Sequence, residues 1–507
     1  MRACNLIGLI ILGITFTSMS VNASESSRPK AKMATKIPAS IQIPDSLDTR
    51  LGTLKFKDGF PDKSTVEKVY DNLDFMHGVR AYLTGLRGTS LVGFKRGLKG
   101  LGPVNQTVVL WENLMDSKSL LLTPNTQSIY AMLWIDTKKT GPIVMETPPK
   151  ILGIIDDAWF QHVTDFGMTG PDKGKGGKFL ILPPNYKGKI PKGYYVARSK
   201  TFGNWVIFRG FQVKGSTKPA VRAAKKYFRV YPLAKAKNRP KMKWINGSGL
   251  DFNTIGGSDY SSFEDLNELV QYEPNSAMDP EILGLFKSIG IEKGKPFKPD
   301  ARMKKILTDA ANVAHATVRT LAFRGRDKAG YIYPNSAWSM VFKGGSSKFI
   351  TKTGIRLLDA RSFFFFYATG ITPAMSMIKV GKGSQYGAAF VDSKGRALDG
   401  GKNYKLHFPP NIPAKKFWSI ILYDNQTRSL LQTDVRFPSL DNLKKGVKYN
   451  SDKSVDIYFG PKAPKGKKSN WIQTMPGKGW NTILRLYGPL KSWFDKTWRP
   501  SEIEEID

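Results

Sequence analysis

The sequence predicts a mainly β protein with α elements: two β-sandwich or jelly-roll-like domains bridged by a helical segment. Three observations carry this. Residues 105–213 break into short aromatic and β-branched runs, each closed by Gly, Pro or Asn. Residues 216–335 then change to helical spacing, and from Gln385 the strand pattern returns. Neither a βαβ alternation nor a short-period repeat interrupts this order.

The chain opens MRACNLIGLIILGITFTSMSVNASESS. Arg2, the apolar residues 6–16 and the small-x-small Val21-Asn22-Ala23 read as a signal peptide over residues 1–23. The protein is therefore expected to be exported, to the periplasm first and to the cell surface or medium second. The apolar run is too short to span a bilayer and no later run approaches that length, so no transmembrane segment is expected after cleavage. Residues 24–45 are polar, Lys- and Pro-rich and aperiodic, a flexible leader.

An N-terminal β domain with a leading helix is expected over 46–215. The helix is STVEKVYDNLDFMHGVRAYLTG, with Val66, Val69, Leu73, Met76 and Leu83 near one face. Ser64 and Glu67 have the spacing of a capping box. His77, beside that stripe, reads as a packed histidine. The strands are VVLWENL, SIYAMLWID, GPIVMETPP, AWFQHVTDFG, KFLILPP, GYYVARS and NWVIFRGFQV. In the helical middle segment, 216–335, Asp279-Pro280 and Pro299 mark helix starts, and His315 lies in an Ala-rich stretch. RLLDARSFFFFYATG fits helix or strand, and Arg356, Asp359 and Arg361 favour a helix end. The C-terminal jelly-roll domain spans 336–507, with YGAAFVD, YKLHFPP, FWSIILYDN, SVDIYFG and NTILRLYGP as strands.

Cys4 is the sole cysteine and falls in the signal, which excludes disulfides and thiolate zinc sites from the mature chain. The formal net charge is +37, and removing Arg2 leaves +36. Such a field attracts anionic partners, and an anionic polymer or a glycan is the expected one. The lysines are spread along the chain and no nucleic-acid module occurs, so nucleic acid is not expected. Oligomeric state stays open, a homo-oligomer included.

Several long blocks, in order, resemble the paired domain-of-unknown-function families DUF1254 (N-terminal) and DUF1214 (C-terminal). TPNTQSIYAMLWIDTKKTGPIVMETPP and KFLILPPNYKGKIPKGYYVARSKTFGNWVIFRGF resemble the first. FWSIILYDNQTRSLL, SVDIYFG, NWIQTMPGKGWNTILRLYGP and KTWRP resemble the second. The resemblance implies two β-rich domains with helices between, in an exported bacterial protein, and implies no reaction. This chain departs at Gln127-Ser128, where the first family more often carries Asp-Thr, so an acid or ligand role at that position is not carried over.

The loop MTGPDKGKGGKF invites a phosphate-cradle reading, which fails on spacing. Gly170 leads to Lys175-Gly176 with no Ser or Thr following, and Phe179 stands where a dinucleotide motif needs glycine. It joins two strands, so no helix N-terminus awaits a phosphate. No nucleotide cofactor is expected, and any other cofactor is left open. No metal site is expected, since neither an HExxH motif nor a calcium loop occurs. No G-x-S-x-G nucleophile motif occurs either.

Candidate catalytic residues are His162, Asp157 and Asp165. If IDDAWFQHVTDFG is one strand, Asp156 and His162 lie too far apart to touch directly, and no Asp–His pair follows from this segment. Candidate substrate-binding residues are Asn125, Tyr130, Trp159, Arg209, Arg361, Asp424 and Arg428. Eleven tryptophans offer either sugar-stacking faces or sandwich core. Arg209, Arg361, Arg428 and Arg485 are expected to pair with carboxylates, because an unpaired cation among aromatics is costly. Two functions follow as expectations: a hydrolase or lyase acting on a glycan or related polymer through carboxylates and His162, or a non-catalytic envelope protein that binds an acidic polymer or protein partner.

Overall fold

The computed structural model describes residues 31–443 and 446–507. The signal-peptide reading, and residues 24–30 of the leader, lie outside the described residues. The chain divides into two compact units, residues 1–73 and 74–507.

In the first unit, strands Ser46–Thr49, Gly52–Lys57 and Phe60–Pro61 form a small antiparallel sheet. The helix Lys63–Leu101 starts here, and its cap is Asp62, whose carboxylate accepts the Thr65 N–H at 2.7 Å. Ser64 therefore lies inside the helix rather than capping it. Val69, Leu73 and Met76, placed on the apolar stripe, are exposed, and burial on this helix is concentrated from Ala81 onward.

In the second unit, the sequence's short strands build two sandwiches. The first packs a six-stranded sheet on a four-stranded one. The six run Lys243–Asn246, Thr107–Leu110, Ser128–Asp136, Gly203–Phe211, Leu152–Asp157, His162–Gly167. The four run Tyr195–Arg198, Gly177–Leu182, Ile143–Thr147, Arg229–Pro232. Ile129, Leu133, Val206, Phe208, Met145, Phe179 and Ile181 fill the space between, as period-two alternation requires. The segment 216–335 forms helices Lys218–Tyr227, Ser261–Tyr272, Pro280–Ser288 and Ala301–Phe323, and it also supplies Arg229–Pro232 and Lys243–Asn246 to these sheets.

The second sandwich packs Ser339–Met340, Ser384–Ala389, Trp480–Pro489, Ala414–Asp424 and Ser439–Asp441 on Trp471–Gln473, Val455–Gly460, Asn403–Phe408 and Glu504–Ile506. Its core holds Leu406, Phe408, Trp418, Ile420, Leu422, Leu484 and Leu486. The four phenylalanines lie in a helix, Leu358–Tyr367, and all four are buried. They join a third core that the helices share with the free face of the six-stranded sheet, where Phe94, Trp205, Phe286, Ala310 and Ala314 meet. β-rich domains bridged by helices are thus the architecture, as the pattern predicts.

The glycine-rich loop after Gly167 crosses from one sheet of the first sandwich to the other. Asp172 organises it, accepting the N–H of Gly167 at 2.7 Å and of Gly176 at 3.1 Å. Gly176 sits at φ 78°, and a Cβ there would come within 2.6 Å of the Thr147 carbonyl. The loop's donors are turned inward, onto its own carboxylate.

Candidate anion-binding site

Alternation along two strands, one from each sandwich, decides what meets between the domains. On Gly203–Phe211, Val206 and Phe208 enter the first sandwich core, while Trp205, Ile207 and Arg209 line the opposite face. Its neighbour sets Tyr130 directly across from Arg209. On Trp480–Pro489, Leu484 and Leu486 enter the second core, and Ile483, Arg485 and Tyr487 line the other face. There Tyr386 lies across from Arg485, and Phe417 across from Tyr487, their rings stacked at 3.9 Å. These two faces, with Phe342 and Phe364, enclose a cavity of about 720 Å³.

Most of the wall is apolar, and its charged groups are all cations: Arg209, Arg485, Lys382 and Lys416. Arg485, 6 % exposed, donates to the Thr123 carbonyl at 2.6 Å and to the Tyr423 hydroxyl at 2.8 Å, while its Nε has no partner. Arg209 makes no hydrogen bond or ion pair among the described residues, and the surface it retains faces the cavity. The buried Tyr487 hydroxyl has no hydrogen-bond partner among the described residues. Tyr130 accepts twice from Asn125, so its own O–H is left to donate. No Asp, Glu or His stands among the described residues of the wall.

Burial is the largest influence on both arginines and works against their charge, and the pull of Tyr487 the other way needs its phenolate. Guanidinium stays cationic in either case. Burial pushes the Tyr487 hydroxyl up, with Arg485 and Arg209 pulling against it, so it remains a neutral donor. The two arginines weaken one another as like charges. A buried and a half-buried cation without a carboxylate partner are costly unless an anion joins them.

The loop Pro124 to Ser128 frames this site from the first domain. The Asn125 side-chain oxygen accepts from Gln127 N, Ser128 N and Ser128 Oγ at 3.0–3.1 Å, and its amide donates to Tyr130 at 2.8 Å. Thr126 bonds Ser439 at 2.7 Å, and the Gln127 amide donates to Asp441 at 3.1 Å. A carboxylate at position 127 could not make that second bond.

The remaining candidates lie elsewhere. The segment read as one strand through Asp156 and His162 is a hairpin, in which Leu152–Asp157 pairs with His162–Gly167. Asp157 makes the turn by accepting the Trp159 and Gln161 N–H groups, both at 2.9 Å, with Phe160 at φ 50°. Asp156 and His162 are consequently cross-strand partners beside a register shift, and His162 Nε2 lies 2.9 Å from Asp165 on its own strand. An Asp–His pair does exist here, contrary to the one-strand reading, but outside the cavity wall. Burial raises Asp157 to about 6, against the two N–H bonds and Arg87. Trp159 is buried, stacked on Phe286 at 6.1 Å, and offers no sugar-stacking face. Asp424 caps a turn through Gln426 N and Thr427 N.

Arg361 and Arg428 are buried, and burial lowers each to about 10. Arg428 lies 4.2 Å over Phe366 and donates to its carbonyl, while the Arg361 Nε has no partner. The expected carboxylate partners are therefore absent for Arg209, Arg361, Arg428 and Arg485 among the described residues. For Arg428 and Arg485, aromatic rings and carbonyls take that place. Tyr386 and Tyr487 were missed by sequence reasoning, although the Ile483, Arg485, Tyr487 alternation signals a strand face that is neither core nor solvent.

Residues 104–232 match the family model described as protein of unknown function DUF1254, and residues 383–491 match that described as protein of unknown function DUF1214. The chain carries a DUF1254 domain followed by a DUF1214 domain. Tyr130 and Arg209 fall inside the DUF1254 match, and Tyr386, Arg485 and Tyr487 inside the DUF1214 match, so the site is shared between them. Among solved structures, the chain is similar to the VPA0106 protein of Vibrio parahaemolyticus at 19 % identity and a TM-score of 0.52, over 86 % of this chain and 100 % of that one. That likeness is one of fold. An uncharacterized protein from Burkholderia cenocepacia aligns at 9 % identity and a TM-score of 0.38, over 87 % and 96 % of the two chains. A search of functionally curated proteins returns no match.

Proposed function

We propose that this protein binds a small organic anion with an apolar body in the cavity between its DUF1254 and DUF1214 domains. One observation carries the reading: the buried Arg485 and the half-buried Arg209, one from each domain, face one cavity with tyrosine hydroxyls and no carboxylate among the described residues. Arg presents a planar fork of donors that suits a carboxylate or similar oxyanion. The volume is that of a small-molecule site, and the aromatic and aliphatic wall suits an apolar body.

Binding is favoured over glycoside hydrolysis. Glycoside hydrolases of the usual kind use two carboxylates across a cleft, and the described residues of the wall supply none. The acidic partner expected from the charge narrows to a small anion, because the site is enclosed by the two domains. The signal-peptide reading adds export, to the periplasm first. No helix among the described residues is long and apolar enough to cross a membrane.

Calorimetric titration with decanoate, decanol and decylammonium at one ionic strength tests this. Decanoate is expected to bind about 100-fold more tightly than decanol, a difference of about 2.7 kcal/mol, within reach of two charge-assisted bonds. Decylammonium should not bind. Equal affinities for decanoate and decanol would remove the arginines from the reading.

A further inference from the structure

We infer that the loop over residues 375–383 docks the cavity mouth onto an anionic lipid surface; the inference rests on the cavity reading for its purpose, though not for its test. Met377, Ile378 and Val380 stand 49 %, 77 % and 55 % exposed, an apolar tip that no part of the described chain covers. Both flanks of the tip, Ala374 and Met375 on one side and Gly381 to Gly383 on the other, belong to the cavity wall. The loop is held at its base, where Gly381 N donates to the Pro489 carbonyl at 2.6 Å and Gly488 N to the Gly383 carbonyl at 2.9 Å. A turn closed by Lys382 N and the Lys379 carbonyl at 3.2 Å bends the segment between.

Charge selects the occupant. Lys379 lies within the tip and Lys382 of the cavity wall just after it, and exposed Lys415 and Lys416 lie on the strand beside Phe417, with Lys416 and Phe417 in the wall. None of the four has an ion pair among the described residues. Apolar side chains ringed by unpaired lysines are the makings of an interfacial anchor: the apolar groups enter the headgroup boundary and the cations meet anionic lipid. A protein partner of matching chemistry would need an acidic rim around an apolar pocket, whereas a bilayer surface supplies both features at any position. With the tip in the interface, a single-chain anion could pass between bilayer and cavity without exposing its apolar body to water.

The test floats the protein with vesicles of phosphatidylglycerol and phosphatidylcholine, against vesicles of phosphatidylcholine alone. The wild type is expected to partition at least 10-fold more strongly to the anionic vesicles. Met377→Ser with Ile378→Ser, and separately Lys379→Gln with Lys415→Gln, should each reduce that partition about 10-fold or more, since each lysine contributes roughly fivefold. Lys462→Gln with Lys465→Gln, the same charge change on the far sheet's loop, should leave it unchanged. None of these residues lines the cavity, so decanoate affinity in solution should hold in every variant. Flotation unchanged by the loop variants, or reduced equally by the control pair, overturns the docking inference. Loop-dependent flotation without decanoate binding would sink the cavity reading alone, and decanoate binding without flotation would sink the docking inference alone.

Discussion

Arg209→Met is expected to raise the melting temperature of the ligand-free protein while lowering its decanoate affinity about 100-fold. Both effects come from one fact. The Arg209 guanidinium is half-buried, sits in the field of Arg485, and has no hydrogen-bond or ion-pair partner among the described residues. A methionine of similar reach fills the same space with apolar atoms, and replacing a half-buried, unpaired charge in this way stabilises by about 1–3 kcal/mol. For a chain of this size that is roughly 1–3 °C. Scanning calorimetry and titration of the same preparation read both quantities. A variant that is less stable and still binds would make Arg209 a structural residue. Arg485 cannot serve here, because its guanidinium also satisfies the Thr123 carbonyl and the Tyr423 hydroxyl.

Asn125→Ala is expected to lose about 3–5 kcal/mol of stability, the largest loss foreseen for a polar side chain at this site. Asn125 is 1 % exposed and ties two backbone N–H groups, the Ser128 hydroxyl and the Tyr130 hydroxyl. Truncation orphans several of these in a space water cannot refill. The bonds act together, so the loss is less than their sum. Decanoate affinity should fall as well, since Tyr130 and the Thr123–Pro124 carbonyls lose their positions. Asn125→Asp keeps the acceptor oxygen and should recover most of the stability. Denaturant unfolding of the three proteins decides it: an alanine variant within about 1 kcal/mol of wild type would refute the loop's role.

The strands were legible because burial on one face writes itself as alternation, and the helices because their apolar spacing differs. What escaped was pairing. Asp156 and His162 read as distant along one strand, since nothing in IDDAWFQHVTDFG announces that Asp157 will fold its own turn. The arginines were legible as oddities in apolar strands, but local chemistry suggested carboxylate partners. Only the facing of two separate sheets places Arg209 and Arg485 together, and no local pattern encodes that. Tyr130 was singled out with a motif and Tyr487 was not, though both end in the same wall. Trp159 erred the other way, because an aromatic beside a carboxylate looks like a sugar platform until the helices cover it.

The most direct measurement is a crystal structure with 10-bromodecanoate bound, the bromine located by its anomalous signal. The account predicts the carboxylate within about 3 Å of Arg209 and Arg485, with the bromine among Trp205, Ile207 and Phe364. A carboxylate held instead by Lys382 and Lys416, with the bromine against the arginines, would contradict it.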